Sequence, residues 1–355
     1  MLSWRLVPAT VVALGMAAGP PLSAQLPLDD WSERPDARAP SGLTEDVLLA
    51  PGSYEVRYRA DVMHFDGVLV GTEEIPIEWV TTGFELDGHF FQWEMAPLTM
   101  TRQRHELEFR AGILDWLGAS LRVPVHYTEG DFRTRDHDPG TASDFALGDV
   151  ELHVLYGLHD VWPYRAHLTA GLSMPTGPVD RGDQLPIAPA EQRTLPYSMQ
   201  PGDGTFALIP GAVLVSENAA GTVGLQATAR IPVGENDRGW RRGQEVRGNV
   251  WMAYRFSEWV SGSLRLSGTR RSAVEGSDPT LDPWSTPMAH PALQAGTRVD
   301  LPVGLNLYFA DGPLYGNRLF AEFVLPVYQD LDGPQLKARA GVSLGWAVAF
   351  GRPSP

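Results

Sequence analysis

The chain is 355 residues long, carries 43 acidic against 28 basic residues for a net charge of −15, and contains no cysteine. The charge balance argues against nucleic acid as a partner. The absence of cysteine excludes a disulfide scaffold or a thiolate metal site, and it suits a chain exported into an oxidising compartment.

In chain order, Met1–Arg5 supplies a positive start, Leu6–Ala18 an apolar run and Leu22-Ser23-Ala24 a small-residue cleavage site. This is the pattern of a secretory signal peptide over 1–24. Pro8, Gly15 and Gly19-Pro20-Pro21 interrupt a run already short of the roughly 20 residues of a spanning helix. No later segment approaches that length, so any membrane role falls to strands. Residues 25–50, rich in Pro, Asp, Arg and Ser and without period, are expected to form a periplasmic N-terminal tail.

From 51 to 350 the chain alternates with a period of two. The first strand, near 53–65, has Tyr54, Val56, Tyr58, Ala60 and Val62 on one face and Glu55, Arg57, Arg59 and Asp61 on the other. Further strands are expected at 99–114, 117–128, 146–158, 163–175, 205–216, 221–233, 245–256, 260–270, 296–309, 316–328 and 336–350, with a tail over 351–355. Connectors alternate between long (66–98, 129–145, 176–204, 234–244, 271–295, 329–335) and short (115–116, 159–162, 217–220, 257–259, 310–315). An even strand number with short turns at one rim and long loops at the other predicts an all-β fold. The expected architecture is a transmembrane antiparallel up-and-down β-barrel of about twelve strands in a Gram-negative outer membrane. Asp115-Trp116, Asp160-Val161-Trp162 and Glu258-Trp259 place Trp at three short turns, as an interfacial belt would.

Assigning the apolar parity to lipid turns fifteen basic side chains inward: Arg57, Arg59, Arg102, Arg104, Arg110, Arg122, Arg165, Arg230, Arg247, Arg255, Arg265, Arg298, Arg318, Lys337 and Arg339. Eight acidic ones face the same way, Glu55, Asp61, Glu106, Glu108, Asp149, Glu151, Asp300 and Glu322. A cationic lumen favours anions, while the same charges can form a lattice of ion pairs filling a narrow barrel. Enzymatic chemistry is not expected. A lipid hydrolase would want a Ser and a His on the outer face, and that face offers little beyond His105. Met63-His64 with Met95 and Met100, and the loop clusters Asp278/Asp282 and Glu235-Asn236-Asp237, read as packing and turn residues rather than metal sites. No cofactor is implied.

The segments Leu168-Thr-Ala-Gly-Leu-Ser-Met-Pro-Thr-Gly177 and Leu195-Pro-Tyr-Ser-Met-Gln-Pro-Gly-Asp-Gly-Thr-Phe-Ala-Leu-Ile-Pro-Gly211 carry a resemblance. So do Gly304-Leu-Asn-Leu307, Asn317-Arg-Leu319 and Val327-Tyr-Gln-Asp-Leu-Asp-Gly-Pro-Gln-Leu336. There the chain resembles the outer-membrane proteins labelled MetA-pathway of phenol degradation, over roughly residues 50–350. The resemblance implies a transporter-like β-barrel passing small aromatic compounds and supplies no catalytic residues. The expected function is an outer-membrane channel or transporter for a small molecule, aromatic or anionic, with membrane lipid and that solute as partners. The alternatives are a closed structural barrel whose acidic loops bind a partner or cation, and an outer-membrane lipid hydrolase.

Overall fold

The computed structural model describes residues 39–351 apart from Asp87, Trp162, Ala219, Ala220 and Ala310; the expected signal peptide, the tail before residue 39 and residues 352–355 lie outside the described residues. Eleven elements close one antiparallel sheet. In chain order the strands are β1 (Ser53–Gly71), β2 (Met95–Leu114), β3 (Leu117–Thr134), β4 (Pro139–Leu147), β5 (Val150–Val161), β6 (Tyr164–Met174), β7 (Phe206–Glu217), β8 (Gly221–Val233), β9 (Glu245–Arg255), β10 (Val260–Arg271), β11 (Gly296–Tyr308) and β12 (Asn317–Gly351). The ring runs β12-β11-β10-β9-β8-β7-β6-β5-β3-β2-β1, and β1 pairs with β12 to close it. Closure gives every wall strand a partner on both sides, which a bilayer demands of any strand that crosses it.

Two strands of the same sheet lie off the ring: Glu73–Ile75 against β1, and β4 against residues 125–133 of β3. The lower half of β3, 117–122, pairs instead with β5. The expected strand 146–158 is therefore broken at Gly148-Asp149, where Gly148 N donates to Pro124 O at 2.8 Å and Val150 N to Thr176 Oγ1 at 2.9 Å. The expected strands 316–328 and 336–350 form one 35-residue ribbon, β12, whose residues 318–331 pair with β11 and 331–351 with β1. This is where the ring of eleven elements departs from the expected count of twelve.

Side chains divide along the wall by parity. On β2, Glu106, Glu108 and Arg110 are buried, whereas Leu107 and Phe109 between them are 38% and 42% exposed. Leu152, Val154 and Leu158 on β5 and Val223 and Leu225 on β8 continue that exposed apolar band, the face a bilayer would cover. At the short-turn rim Trp116, Trp259, Tyr54, Tyr156, Tyr164, Tyr254 and Phe256 are exposed, the makings of an aromatic girdle. Trp162 lies outside the described residues.

The long connectors fold inward as a roof. Segment 72–94 holds helix α1 (Ile77–Thr82), and the connector 272–295 joins 234–244 through Trp240-Arg241 against Glu275-Gly276. Trp93, fully buried, stacks on Phe91 at 5.5 Å and donates from Nε1 to Pro283 O at 3.0 Å. Around it Val80, Leu195, Met199, Met288 and Leu293 pack against the wall residues Phe65, Met100 and Leu336. Each large side chain buried there stabilises the roof by about 1.5–3 kcal/mol.

The other end is closed by residues 39–50, and the expectation of a periplasmic tail is corrected for this described part. Ala39, Ser41, Leu43, Glu45, Asp46 and Leu49 are all buried, lying across the lumen at the short-turn end. Six backbone carbonyls of this floor, those of Ala39, Ser41, Leu43, Thr44, Glu45 and Val47, accept hydrogen bonds from wall side chains. A segment that satisfies its backbone groups on the wall can be buried without sheet pairing.

Candidate functional site

The lumen is a lattice of guanidinium and carboxylate built in tiers. On β1 and β2, Arg57 Nη2 and Arg110 Nη1 both reach Glu55 at 3.1 Å, with Glu108 at 3.6 Å from Arg57 Nε. One tier higher, Arg59 bonds Glu106 and Asp61 at 3.0 Å each, and Arg104 shares Glu106. Arg122 of β3 pairs with Glu151 of β5 at 2.6 Å, and Arg230 of β8 reaches Glu151 at 2.7 Å and Asp203 at 2.9 Å. Opposite, Arg265 bridges Asn249 and Glu322 at 3.2 Å each, and Arg318 bonds Asn306 at 2.7 Å. Neighbouring inward positions on adjacent strands stand close enough for the planar fork of arginine to span two partners.

The floor enters this lattice with its own acids. Asp46 lies 3.0 Å from Arg110 and 3.8 Å from Arg57, and Glu45 lies 3.2 Å from Arg122 while accepting from Ser120 Oγ at 3.0 Å. His167 Nε2 lies 2.8 Å from the Glu45 carbonyl oxygen.

Between floor and roof lies a chamber of ≈ 590 Å³. Its lining includes ten arginines, Arg59, Arg102, Arg104, Arg122, Arg230, Arg242, Arg247, Arg265, Arg271 and Arg298, and eight carboxylates, among them Glu45, Asp149, Asp203 and Glu245. Burial raises the Asp203 carboxyl, but Arg242 and Arg230 more than offset it and bring the group down to about 2, so this roof residue is a carboxylate held by two guanidiniums. Asp149, at the break between β4 and β5, accepts from the backbone N–H groups of Gly177 and Asp203 at 2.9 and 2.8 Å and so ties the roof to the wall.

The remaining expected residues lie as follows. Arg298 pairs with Asp300 at 3.0 Å, and Arg247 with Glu245 at 2.8 Å, both on the chamber wall. Arg165 sits at the short-turn rim, held by Asp160 at 2.9 Å and Glu217 at 3.3 Å, and Arg255 lies at the same rim opposite Ser261. Arg339 and Lys337 depart from expectation. The β1–β12 register slips between His64↔Ala340 and Phe65↔Ala338, leaving Arg339 as the extra residue of a bulge. Beyond it parity inverts: Leu336 and Ala338 pack into the interior cluster, while Lys337 and Arg339 turn to the other face and bind Glu74 at 2.9 and 2.6 Å.

The sequence reading missed Glu45 and Asp46 of the floor, Asp203 and Arg242 of the roof, and the pair Glu245–Arg271 at the strand ends. The floor had a signal: Leu43 and Val47-Leu48-Leu49 flank the acidic pair with apolar residues that a solvated tail has no need of. The loop clusters serve as turn chemistry. Asp278 pairs with Arg238 at 2.5 Å, and Asp282 accepts from Trp284 N at 2.9 Å. Met63 faces the chamber and His64 the opposite side, next to Thr101, so the two do not converge. Among the described residues no group of three or more His, Asp or Glu side chains is arranged to hold a metal.

Among solved structures, the chain is similar to an outer membrane channel from Pseudomonas putida F1, at 13% identity and TM-score 0.57, over 90% of this chain and 99% of that one. What the two share is the fold, a closed antiparallel β-barrel. Two porins align more loosely and carry no argument: KdgM at 10% identity and TM-score 0.37 over 83% of this chain and 99% of that one, and NanC at 9% and 0.41 over 83% and 98%. No protein-family model matches the chain, and no curated protein is matched. The barrel thus rests on the fold, and the resemblance to the phenol-degradation family on its sequence motifs alone.

Proposed function

We propose that the chain is an outer-membrane channel for a small solute, that the solute is an anion, and that residues 39–50 gate it. The observation that carries this reading is the chamber, where guanidinium groups outnumber carboxylates ten to eight. A cavity of ≈ 590 Å³ is of the size that admits a small organic molecule. Fields inside a low-dielectric wall concentrate ions of the opposite sign, so even a modest surplus of arginine draws anions in.

The floor fits the role of a gate because Glu45 and Asp46 bind the guanidiniums of Arg122 and Arg110 that a passing anion would use. A solute carboxylate entering from the chamber competes with them for the same partners. In this reading the wall has twelve passes. A ring that is antiparallel throughout needs an even number, and β12 supplies two by reversing within its length. The bond from Ala349 N to Gly316 O and the bonds between Gln329 and Ala338 hold its two arms side by side. Passage of an aromatic compound, as the family resemblance implies, draws support from Met63, Phe65 and Met100 in the same lining.

The test is single-channel recording in planar bilayers under a KCl gradient, with the full chain and with a Glu45→Gln/Asp46→Asn variant. A reversal potential set by chloride, and a severalfold higher open probability in the variant, are expected. Cation preference in both proteins would sink the anion reading.

A further inference from the structure

Arg102 differs from every other arginine of the chamber. The other nine each have a carboxylate oxygen within 4.0 Å; among the described residues Arg102 has none. Its guanidinium donates from Nη2 to the Ser198 carbonyl of the roof at 2.6 Å and lies 5.7 Å over the ring of Phe65. The charges that bear on it most are those of Arg271, Arg242 and Arg298. Glu245 is the one carboxylate whose charge opposes theirs, and it is not in contact; among the described residues this half-buried cation beside three others is satisfied only by a neutral carbonyl and lacks the direct counter-ion that buried charge requires.

On its β1–β2 side the surface around it is apolar. Met63 stands directly opposite Arg102 in the β1–β2 register, and Phe65 stands opposite Met100 two residues away on the same face. All four line the chamber.

We infer that the chamber holds a monocarboxylate with an apolar body, its carboxylate on Arg102 and its hydrocarbon against Met63, Phe65 and Met100. A carboxylate matches the two-pronged donor geometry of a guanidinium. A free phosphate would meet the same charge, but its strongly held hydration shell finds no polar partner on the methionine side. The inference names the solute of the proposed channel and rests on that reading only for how the solute arrives, because the site itself needs no open pore.

The experiment is isothermal titration of the full chain in lipid nanodiscs, with empty nanodiscs subtracted, using acetate, butanoate, hexanoate and inorganic phosphate as probes. Affinity is expected to rise from acetate to hexanoate by at least about tenfold, because each buried methylene adds to binding. Arg102→Gln should weaken hexanoate about ten- to a hundredfold, with Arg102→Lys between the two. The heat-modifiable gel shift of a folded barrel checks each variant. A flat series in the unaltered protein, phosphate binding tighter than hexanoate, or equal affinity in Arg102→Gln each overturns the site. Anion-selective conductance without hexanoate binding rejects the site and leaves the channel; hexanoate binding without conductance does the reverse.

Discussion

Arg265 shows what a single lumen residue depends on. It is held between Asn249 and Glu322, and the Glu322 side chain is only 1% exposed. Removing one partner of such a pair strands the other charge away from water, at a cost of about 3–5 kcal/mol. Glu322→Ala is therefore expected to lower stability by that amount in urea titrations followed by the heat-modifiable band. The double variant Glu322→Ala/Arg265→Met should recover most of the loss, and strictly additive losses would contradict the pairing. At this scale the sequence shows which face each residue takes, because parity is a property of neighbouring residues. It does not show partners: Arg59 and Glu106, or Arg230 and Glu151, meet only because folding brings distant segments side by side. Arg339 marks the limit, since one extra residue in a strand reverses every inward assignment beyond it.

Among the elements, the barrel strands were legible and the roof was not. The alternation of β5, β8 and β12 is carried by consecutive residues, whereas the roof joins connectors that share no local pattern. Gly202 shows how closely these segments approach. A Cβ there would stand 2.2 Å from the Gly177 carbonyl oxygen, so Gly202→Ala must displace one backbone from the other. Partial exposure of Trp240, fully buried against Tyr197 at 5.0 Å, is the expected result, read as a red shift of its emission. Asp203 adds a dependence on pH. Its carboxyl is depressed to about 2 from an ordinary value of 3.8, so its contribution is complete above the ordinary value and lost as pH falls toward 2. Roof opening is thus expected only between about pH 4 and pH 2. Arg242→Gln should shift that transition upward, and a transition unmoved in this variant would count against Arg242 as the holder of Asp203.

For the whole molecule, ring closure and lumen closure are separate. The ring is sealed by β1 against β12, a pairing that runs from Ser53↔Gly351 to Gly71↔Leu331 and includes no residue of the floor. With the floor gone, Arg57 and Arg110 still keep Glu55 and Glu108. Deleting residues 39–50 is therefore expected to leave a folded, heat-modifiable barrel whose conductance is severalfold higher; an unchanged conductance would show that the floor is no gate. The amino-acid sequence by itself determined the barrel, its basic wall and the asymmetry of its rims, because period-two patterning and connector length are written in consecutive residues. Only the tertiary structure decided that acids from outside the wall reach into the lumen, that a bulge turns Arg339 away, and that among the described residues Arg102 has no carboxylate in contact. Those outcomes depend on distances between residues far apart in the chain, and on which of many possible charge pairs the closed ring brings within reach.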